Sequence, residues 1–228
     1  MSDTKKLVLV AGAGSGLGET LLRRFSREGF HAVGLARSER TTSNGIKVLA
    51  CDLTDAPSVE TSLASLIEQF GPPEIVVHNP AKLVISPFVE TTVKDFEDTW
   101  RNMVLTAAIL AQICIPLMVR AGGGTFIVSG ATASIRGSAK FAAFASAKFA
   151  LRGLTQSLAR EYQSAGVHVV HTILDGIIDT EASRALHDLD PGLMMKPEDI
   201  AQIYWDIVKQ PKSTWSQELD LRPYTGSF

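Results

Sequence analysis

Ala11-Gly12-Ala13-Gly14-Ser15-Gly16-Leu17-Gly18 closes a short apolar run, Lys6 to Ala11, and opens a helical pattern that carries on to Glu28. Glycine lets a chain turn tightly and brings backbone amides close to whatever lies outside the turn. The N-terminus of the following helix adds unpaired N–H groups and positive potential. A glycine loop placed after the first strand and before the first helix is a seat for the pyrophosphate of a dinucleotide, and a nicotinamide one is the leading expectation. Gly12, Ser15, Gly16, Leu17 and Gly18 are the residues this reading places around the phosphates. The competing reading is a plain flexible turn between strand and helix.

Beyond the loop, short β-rich runs alternate with longer helical patterns. Strands are expected at His31 to Ala36, Ile46 to Cys51, Glu74 to His78, Thr125 to Ser129, Val167 to Leu174 and Glu218 to Leu221. Asp55 and Pro57 open a helix that Gly71-Pro72-Pro73 stops. Thr92 with Asp95 makes a capping box for a long helix that reaches Ala121 before three glycines. Further helices are expected from Lys140 to Ser164, from Glu181 to His187 and after Pro197. The strands lack period-two polarity, so both faces of their sheet must be covered. Right-handed crossovers then give an α/β fold, a doubly wound parallel sheet of Rossmann-like type with ligands beyond the strands' carboxyl ends. No repeat, linker or low-complexity segment divides the chain, and residues 1–228 are read as one domain.

Composition narrows the function classes. A net charge of −2 supplies no basic field for nucleic acid. Cys51 and Cys114 lie in apolar segments and read as buried free thiols rather than a disulfide framework. The start, Met-Ser-Asp-Thr-Lys-Lys, runs into a strand and not into a secretion signal. Met103 to Val119 is the most apolar long stretch, but Thr106, Gln112 and Pro116 interrupt it and it is short for a membrane span. The expectation is a soluble cytoplasmic protein that binds neither nucleic acid nor membrane.

The second strand ends in Ala36-Arg37-Ser38. An acidic residue there would hold the ribose hydroxyls of NAD and repel a 2′-phosphate. Arginine instead forms a fork to phosphate, and a serine hydroxyl adds a hydrogen bond. Arg37 and Ser38 therefore favour NADP over NAD. The competing reading is a solvated surface arginine, because Ser15 adds no second cation to the glycine loop.

Five segments share one pattern: Gly12, Gly16 and Gly18 behind Ala11; Cys51-Asp52-Leu53-Thr54; His78-Asn79-Pro80-Ala81; Phe144-Ala145-Ser146-Ala147-Lys148; and Asp175-Gly176-Ile177-Ile178-Asp179-Thr180. In these, and over nearly its whole length, the sequence resembles the short-chain dehydrogenase/reductase family. The resemblance implies that Asp52, with Leu53 beside it, meets the adenine. It implies that Asn79 keeps the second asparagine of the motif after the fourth strand, that Lys148 holds the nicotinamide ribose, and that Thr180 sits beside the nicotinamide. It also implies hydride transfer between the nicotinamide and a carbonyl carbon, with a tyrosine hydroxyl passing the proton, a lysine one helical turn on, a serine and an asparagine.

Here the sequence departs from the family. Phe144 stands where the tyrosine belongs and has no proton to give. The serine position falls on Ala131 and the asparagine position on Met103; Asn102 is one residue off and is expected to point elsewhere, about 100° around the helix. The family's enoyl reductases place a tyrosine seven residues before the lysine, and that position is Phe141. Tyr162, Tyr204 and Tyr224 lie at the far end of this helix or in the tail.

Substitutes are few. Ser129, Thr132 and Ser134 flank the vacant serine position, although serines after a strand commonly bond local backbone. His78 ends the fourth strand, where a histidine titrates usefully or simply bonds to backbone. Asp175, where the nicotinamide end is expected, is the best stand-in acid, its local partners able to raise its pKa. Two functions follow: an NADP-dependent oxidoreductase with a rerouted proton path acting on an apolar carbonyl compound, or a dinucleotide-binding sensor or partner subunit without activity. Leu186, Leu189, Leu193, Met194 and Met195 suggest an apolar lid. The long helix and the Phe144–Lys148 helix correspond to those that pair subunits in the family, which implies a homodimer or homotetramer.

Overall fold

β1 (Leu7–Ala11) is buried along its whole length, with Leu7, Leu9 and Ala11 facing one apolar cluster and Val8 and Val10 the other. Pleating sends alternate residues to opposite faces, so a strand covered on both sides must be apolar throughout. This computed structural model describes residues 5–225. From β1 the chain enters α1 (Leu17–Arg27), β2 (His31–Ala36), the two-residue β3 (Arg40–Thr41), β4 (Lys47–Ala50), α2 (Ala56–Phe70) and β5 (Pro73–His78). α3 (Val93–Trp100) runs through a π-helical turn, Arg101–Leu105, into α4 (Thr106–Arg120). β6 (Gly124–Ser129), α5 (Ala142–Tyr162), β7 (Val167–Leu174), α6 (Glu181–Leu186), α7 (Pro197–Val208) and β8 (Glu218–Leu221) follow.

The sheet order is β3-β4-β2-β1-β5-β6-β7-β8. Every pairing is parallel except that of β3 with β4. Residues of α2, α4 and α5 close one face, and residues of α1 and α7 close the other. The order reverses at β1, between β2 and β5, which puts the ligand crevice of a doubly wound sheet at their carboxyl ends.

Local chemistry sets the boundaries where expected. The Asp55 carboxylate accepts from the Ser58 N–H, Gly71 ends α2 at φ 79°, and both halves of the Thr92–Asp95 capping box are made. β3 and the π-helical turn are not legible in the pattern. Two residues are too few to show a period, and Ile46, expected in a strand, instead closes a hairpin by accepting from the Thr42 N–H at 2.9 Å. Thr106, Gln112 and Pro116 do not interrupt the long helix. Val93 to Arg120 forms one 28-residue element that by length and composition could cross a membrane, so the sequence argument from length fails. Its most apolar window is 56% buried inside the fold, with Ala107, Leu110, Cys114 and Met118 in the core, and that packing accounts for its hydropathy.

Candidate active site

The glycine loop and the end of β5 meet at the switch point. Asn79 N–H donates to the Ala11 carbonyl at 2.9 Å, and its side-chain amide donates to the Gly12 carbonyl at 3.3 Å. Gly12 is left-handed at φ 76°, and a Cβ there would stand 2.6 Å from the Pro80 nitrogen. Only glycine fits that crossing. A Cβ on Gly16 would stand 2.7 Å from the Thr180 methyl group, so Thr180 is packed against the loop, and its hydroxyl caps α6 at Ser183. Gly14 faces open space, and Ser15 is exposed. The Leu17 side chain is part of the core and contributes only backbone to the loop, while Gly18 lies against the Gly12 carbonyl.

A cleft of about 450 Å³ opens from this point, lined among others by Gly12, Arg37, Asp52, Leu53, Asn79 and Asn102. These include most of the residues assigned to the adenosine end. Ser38 is exposed and does not line the cleft. The Asp52 carboxylate accepts from the Thr54 hydroxyl at 2.7 Å and the Thr54 N–H at 2.9 Å, and these bonds hold its pKa below the usual value. Asn102 lines the cleft, its side-chain amide donating to the Asp98 carbonyl at 2.7 Å, while Met103 is fully buried. The π-helical turn alters the angular advance per residue there, which a regular 100° wheel does not anticipate. Thr106, one turn on, donates to the Asn102 carbonyl at 2.9 Å and meets His78 Nε2 at 2.9 Å.

The half expected to meet the nicotinamide lies on α5. Lys148 is buried, its ammonium donates to the Ser129 carbonyl at 2.8 Å, and its Nζ lies 5.8 Å from the centre of the Phe144 ring. Burial pulls its pKa down to about 8. His78 is enclosed beside it, and burial together with the Lys148 charge drives its pKa to about 3. It is a neutral core histidine across the physiological range. Phe144 is half-buried, and Ala131 is half-buried with extended backbone. No hydroxyl stands at either position.

Each suggested substitute has a partner that occupies it. Ser134 accepts from the Ala131 N–H at 3.1 Å and meets His171 Nε2 at 3.0 Å. The Thr132 hydroxyl donates to Asp175 Oδ1. Asp175 also stands 3.6 Å from the Arg136 guanidinium and 3.4 Å from that of Arg222. It therefore ties the loops after β6, β7 and β8 together as an acceptor, which is a different job from the acid expected of it. Tyr204, set aside as a tail residue, folds back under β6: its hydroxyl lies 2.8 Å from Ser129 Oγ and 2.5 Å from Thr172 Oγ1. It is fully buried, and its pKa is pushed up to about 12, so it braces the strand that holds Lys148 and does not reach a substrate. Tyr204→Phe takes the partner from the Ser129 hydroxyl and leaves Thr172 only its bond to the Val128 carbonyl, and is expected to cost about 1–3 kcal/mol in urea denaturation; an unchanged midpoint would show the triad to be energetically idle. Of the suggested lid residues, Met194 and Met195 are buried, while Leu186 and Leu193 are exposed.

The family described as short chain dehydrogenase matches residues 6–190. The 3-oxoacyl-(acyl-carrier-protein) reductase FabG of Salmonella typhimurium (strain LT2) is 30% identical over 199 residues, covering 82% of this chain and 80% of its own. A short-chain dehydrogenase from Rhodopseudomonas palustris has the same fold at a TM-score of 0.81 and 31% identity, covering 96% of this chain and 99% of that one. A tyrosine-to-phenylalanine variant of ElxO, with NADPH bound, matches at a TM-score of 0.85 and 19% identity, covering 95% of this chain and 96% of its own. With a glycine loop, a switch-point cleft and a buried α5 lysine arranged on one sheet, the chain belongs to the short-chain dehydrogenase family of oxidoreductases.

Proposed function

We propose that this protein binds NADP in preference to NAD and is a short-chain oxidoreductase whose cofactor half is intact and whose proton-transfer half is missing. The observation that carries this reading is the convergence of Gly12, Arg37, Asp52 and Asn79 on one cleft, with Phe144 and Ala131 at the donor positions. A nicotinamide dinucleotide fits these residues. The left-handed Gly12 and the open space at Gly14 leave the loop's backbone free to approach phosphate. Arg37 would take the 2′-phosphate, Lys148 the nicotinamide ribose, and Thr180 the side of the nicotinamide beside Gly16. The bound cofactor supplies hydride. Phe144 and Phe141 keep an apolar wall that suits an apolar carbonyl compound. Asp175, through Thr132, steadies the loop that carries Ala131. With no side-chain hydroxyl to pass a proton, carbonyl reduction must draw it from water and is slow.

A second reading, a dinucleotide-binding sensor or partner subunit, is favoured by the ring of Phe144 itself. The ElxO variant described with NADPH suggests that a tyrosine-to-phenylalanine change in this fold is compatible with cofactor binding. Both readings include a homodimer or homotetramer built on α3–α4 and α5, where Val93, Trp100 and Phe149 are exposed. Both place the chain in the cytoplasm, consistent with the unpaired thiols of Cys51 and Cys114.

Fluorescence titration with NADPH and NADH tests the shared premise. Saturable binding that is tighter for NADPH is expected. It should weaken as the pH rises through about 8, where the buried Lys148 loses its charge. Failure to bind either dinucleotide would defeat both readings. Measurable native turnover of a carbonyl panel would favour the oxidoreductase over the sensor.

A further inference from the structure

A second cavity, of about 590 Å³, opens between the start of α7 and the chain that leaves β8. It shares no lining residue with the cofactor cleft, and neither Ala131 nor Phe144 reaches it. Its walls are apolar: Met194, Met195 and Ile200 are buried, and Ile203, Leu221 and Pro223 are half-buried around them. Its charges cancel. Arg222 is paired with Asp220, while Lys196 and Asp199 are both exposed where α7 begins. Tyr224 and Thr225, also exposed, add hydroxyls at the mouth. An ion entering such a space loses its water and gains no uncommitted counter-charge against the apolar wall. An uncharged molecule with an apolar body fits it, and ligand cavities are commonly roughly 300–1,000 Å³ and mostly apolar. The two methionines supply flexible thioether chains that re-pack around such a body.

The same wall is bonded to the segment that leads to Thr180. Met195 N–H donates to the Ile177 carbonyl and Asp179 N–H donates to the Met195 carbonyl, each at 2.8 Å, and Ile178 and Met195 form a parallel bridge. Gly176 leaves no room for a side chain beside it: a Cβ there would stand 2.8 Å from Pro223 Cδ and 3.0 Å from Met195 Sδ. One residue past Asp179, Thr180 packs against Gly16 of the glycine loop. A molecule seated on Met195 therefore bears on the glycine loop through an unbroken chain of hydrogen bonds and packed atoms, the physical means by which two sites couple.

We propose that this cavity is an effector site for an uncharged aliphatic alcohol, and that filling it tightens dinucleotide binding by fixing Met195 and, through it, Thr180. The coupling rests on the dinucleotide reading above. The site itself does not.

Calorimetric titration of the native chain, Ile203→Asp and Ile203→Leu with 1-octanol, octanoate and octylammonium, with and without NADPH, tests both parts. The native chain is expected to bind octanol saturably and about ten-fold or more tightly than either ion. Ile203→Asp sets a carboxylate in the wall and should weaken octanol about ten-fold, whereas Ile203→Leu conserves volume and should change it little. The comparison of the three probes needs only the native chain, so it decides the matter even if Ile203→Asp does not fold. NADPH should tighten octanol, and octanol NADPH, by one and the same factor of about three or more, as reciprocal coupling requires. Absence of saturable octanol binding, or equal affinity for all three probes, would overturn the site. Octanol binding that disappears as the chain self-associates would make a second copy the occupant and overturn it too. Octanol binding that leaves NADPH affinity unchanged would overturn the effector role. A chain that binds octanol and no dinucleotide would defeat the dinucleotide reading and the coupling with it, while upholding the cavity as a site.

Discussion

In a Phe144→Tyr/Ala131→Ser double variant, reduction of a carbonyl panel by NADPH is expected to rise about a hundred-fold or more over the native chain. A positioned acid–base group contributes roughly a hundred- to ten-thousand-fold. The geometry is already prepared for one. Phe144 precedes Lys148 by one helical turn, and Lys148 Nζ lies 5.8 Å from its ring centre. Tyrosine adds only an oxygen to that ring, and the nearby ammonium would favour its phenolate. Ala131 has extended backbone and is half-buried, and a serine there adds a single oxygen. NADPH affinity should change little, because Gly12, Arg37 and Asn79 are untouched. A double variant that binds NADPH as well as the native chain and turns over no faster would sink the idea that proton transfer alone is missing. The single Phe144→Tyr variant should recover most of the gain, since the serine only steadies the carbonyl oxygen.

Acid should destabilise the fold sharply between pH 6.5 and 5. His78 and His171 are both buried neutral, with folded pKa values of about 3 against 6.5 in the unfolded chain. Desolvation is the main cause for each, with Lys148 adding to both and Arg152 to His171. The sign follows directly. Below pH 6.5 the unfolded chain takes up protons that the folded chain refuses until about pH 3. The stabilisation is therefore complete above 6.5 and is lost as the pH falls toward 3. At pH 5 the loss is about 2 kcal/mol for each histidine, or about 4 kcal/mol together. His168, also lowered by burial, works in the same direction. Asp98 and Asp179, lowered by Lys82 and Arg184 respectively, contribute only at more acidic pH. Urea midpoints at pH 7.5 and 5 would measure the loss, and His78→Gln with His171→Gln should flatten it. A midpoint that holds between those pH values would mean that the imidazoles find water or a proton partner in the folded state.

The strand and helix order was legible because its causes are local. The capping box at Thr92 and Asp95, the stop at Gly71 and the doubly apolar β1 each depend on residues a few positions apart. So did the empty donor positions, since Phe144 and Ala131 carry no hydroxyl in any fold. The irregular turn at Arg101–Leu105 was not legible, because a helical wheel assumes a constant rotation that the π-helical segment does not keep.

The glycine loop, the parallel sheet, the cleft at its switch point and the loss of the tyrosine and serine were written in the chain alone, since they follow from periodicity, backbone permissiveness and residue chemistry. Only the tertiary structure decided what those groups touch. It carried Arg40 to Ala13 across 27 residues and Tyr204 to Ser129 across 75. It also turned Asp175 from a candidate acid into a tie between Thr132, Arg136 and Arg222. Those contacts depend on how the crossovers stack strands and how far each side chain reaches, and neither is encoded in any short stretch of sequence.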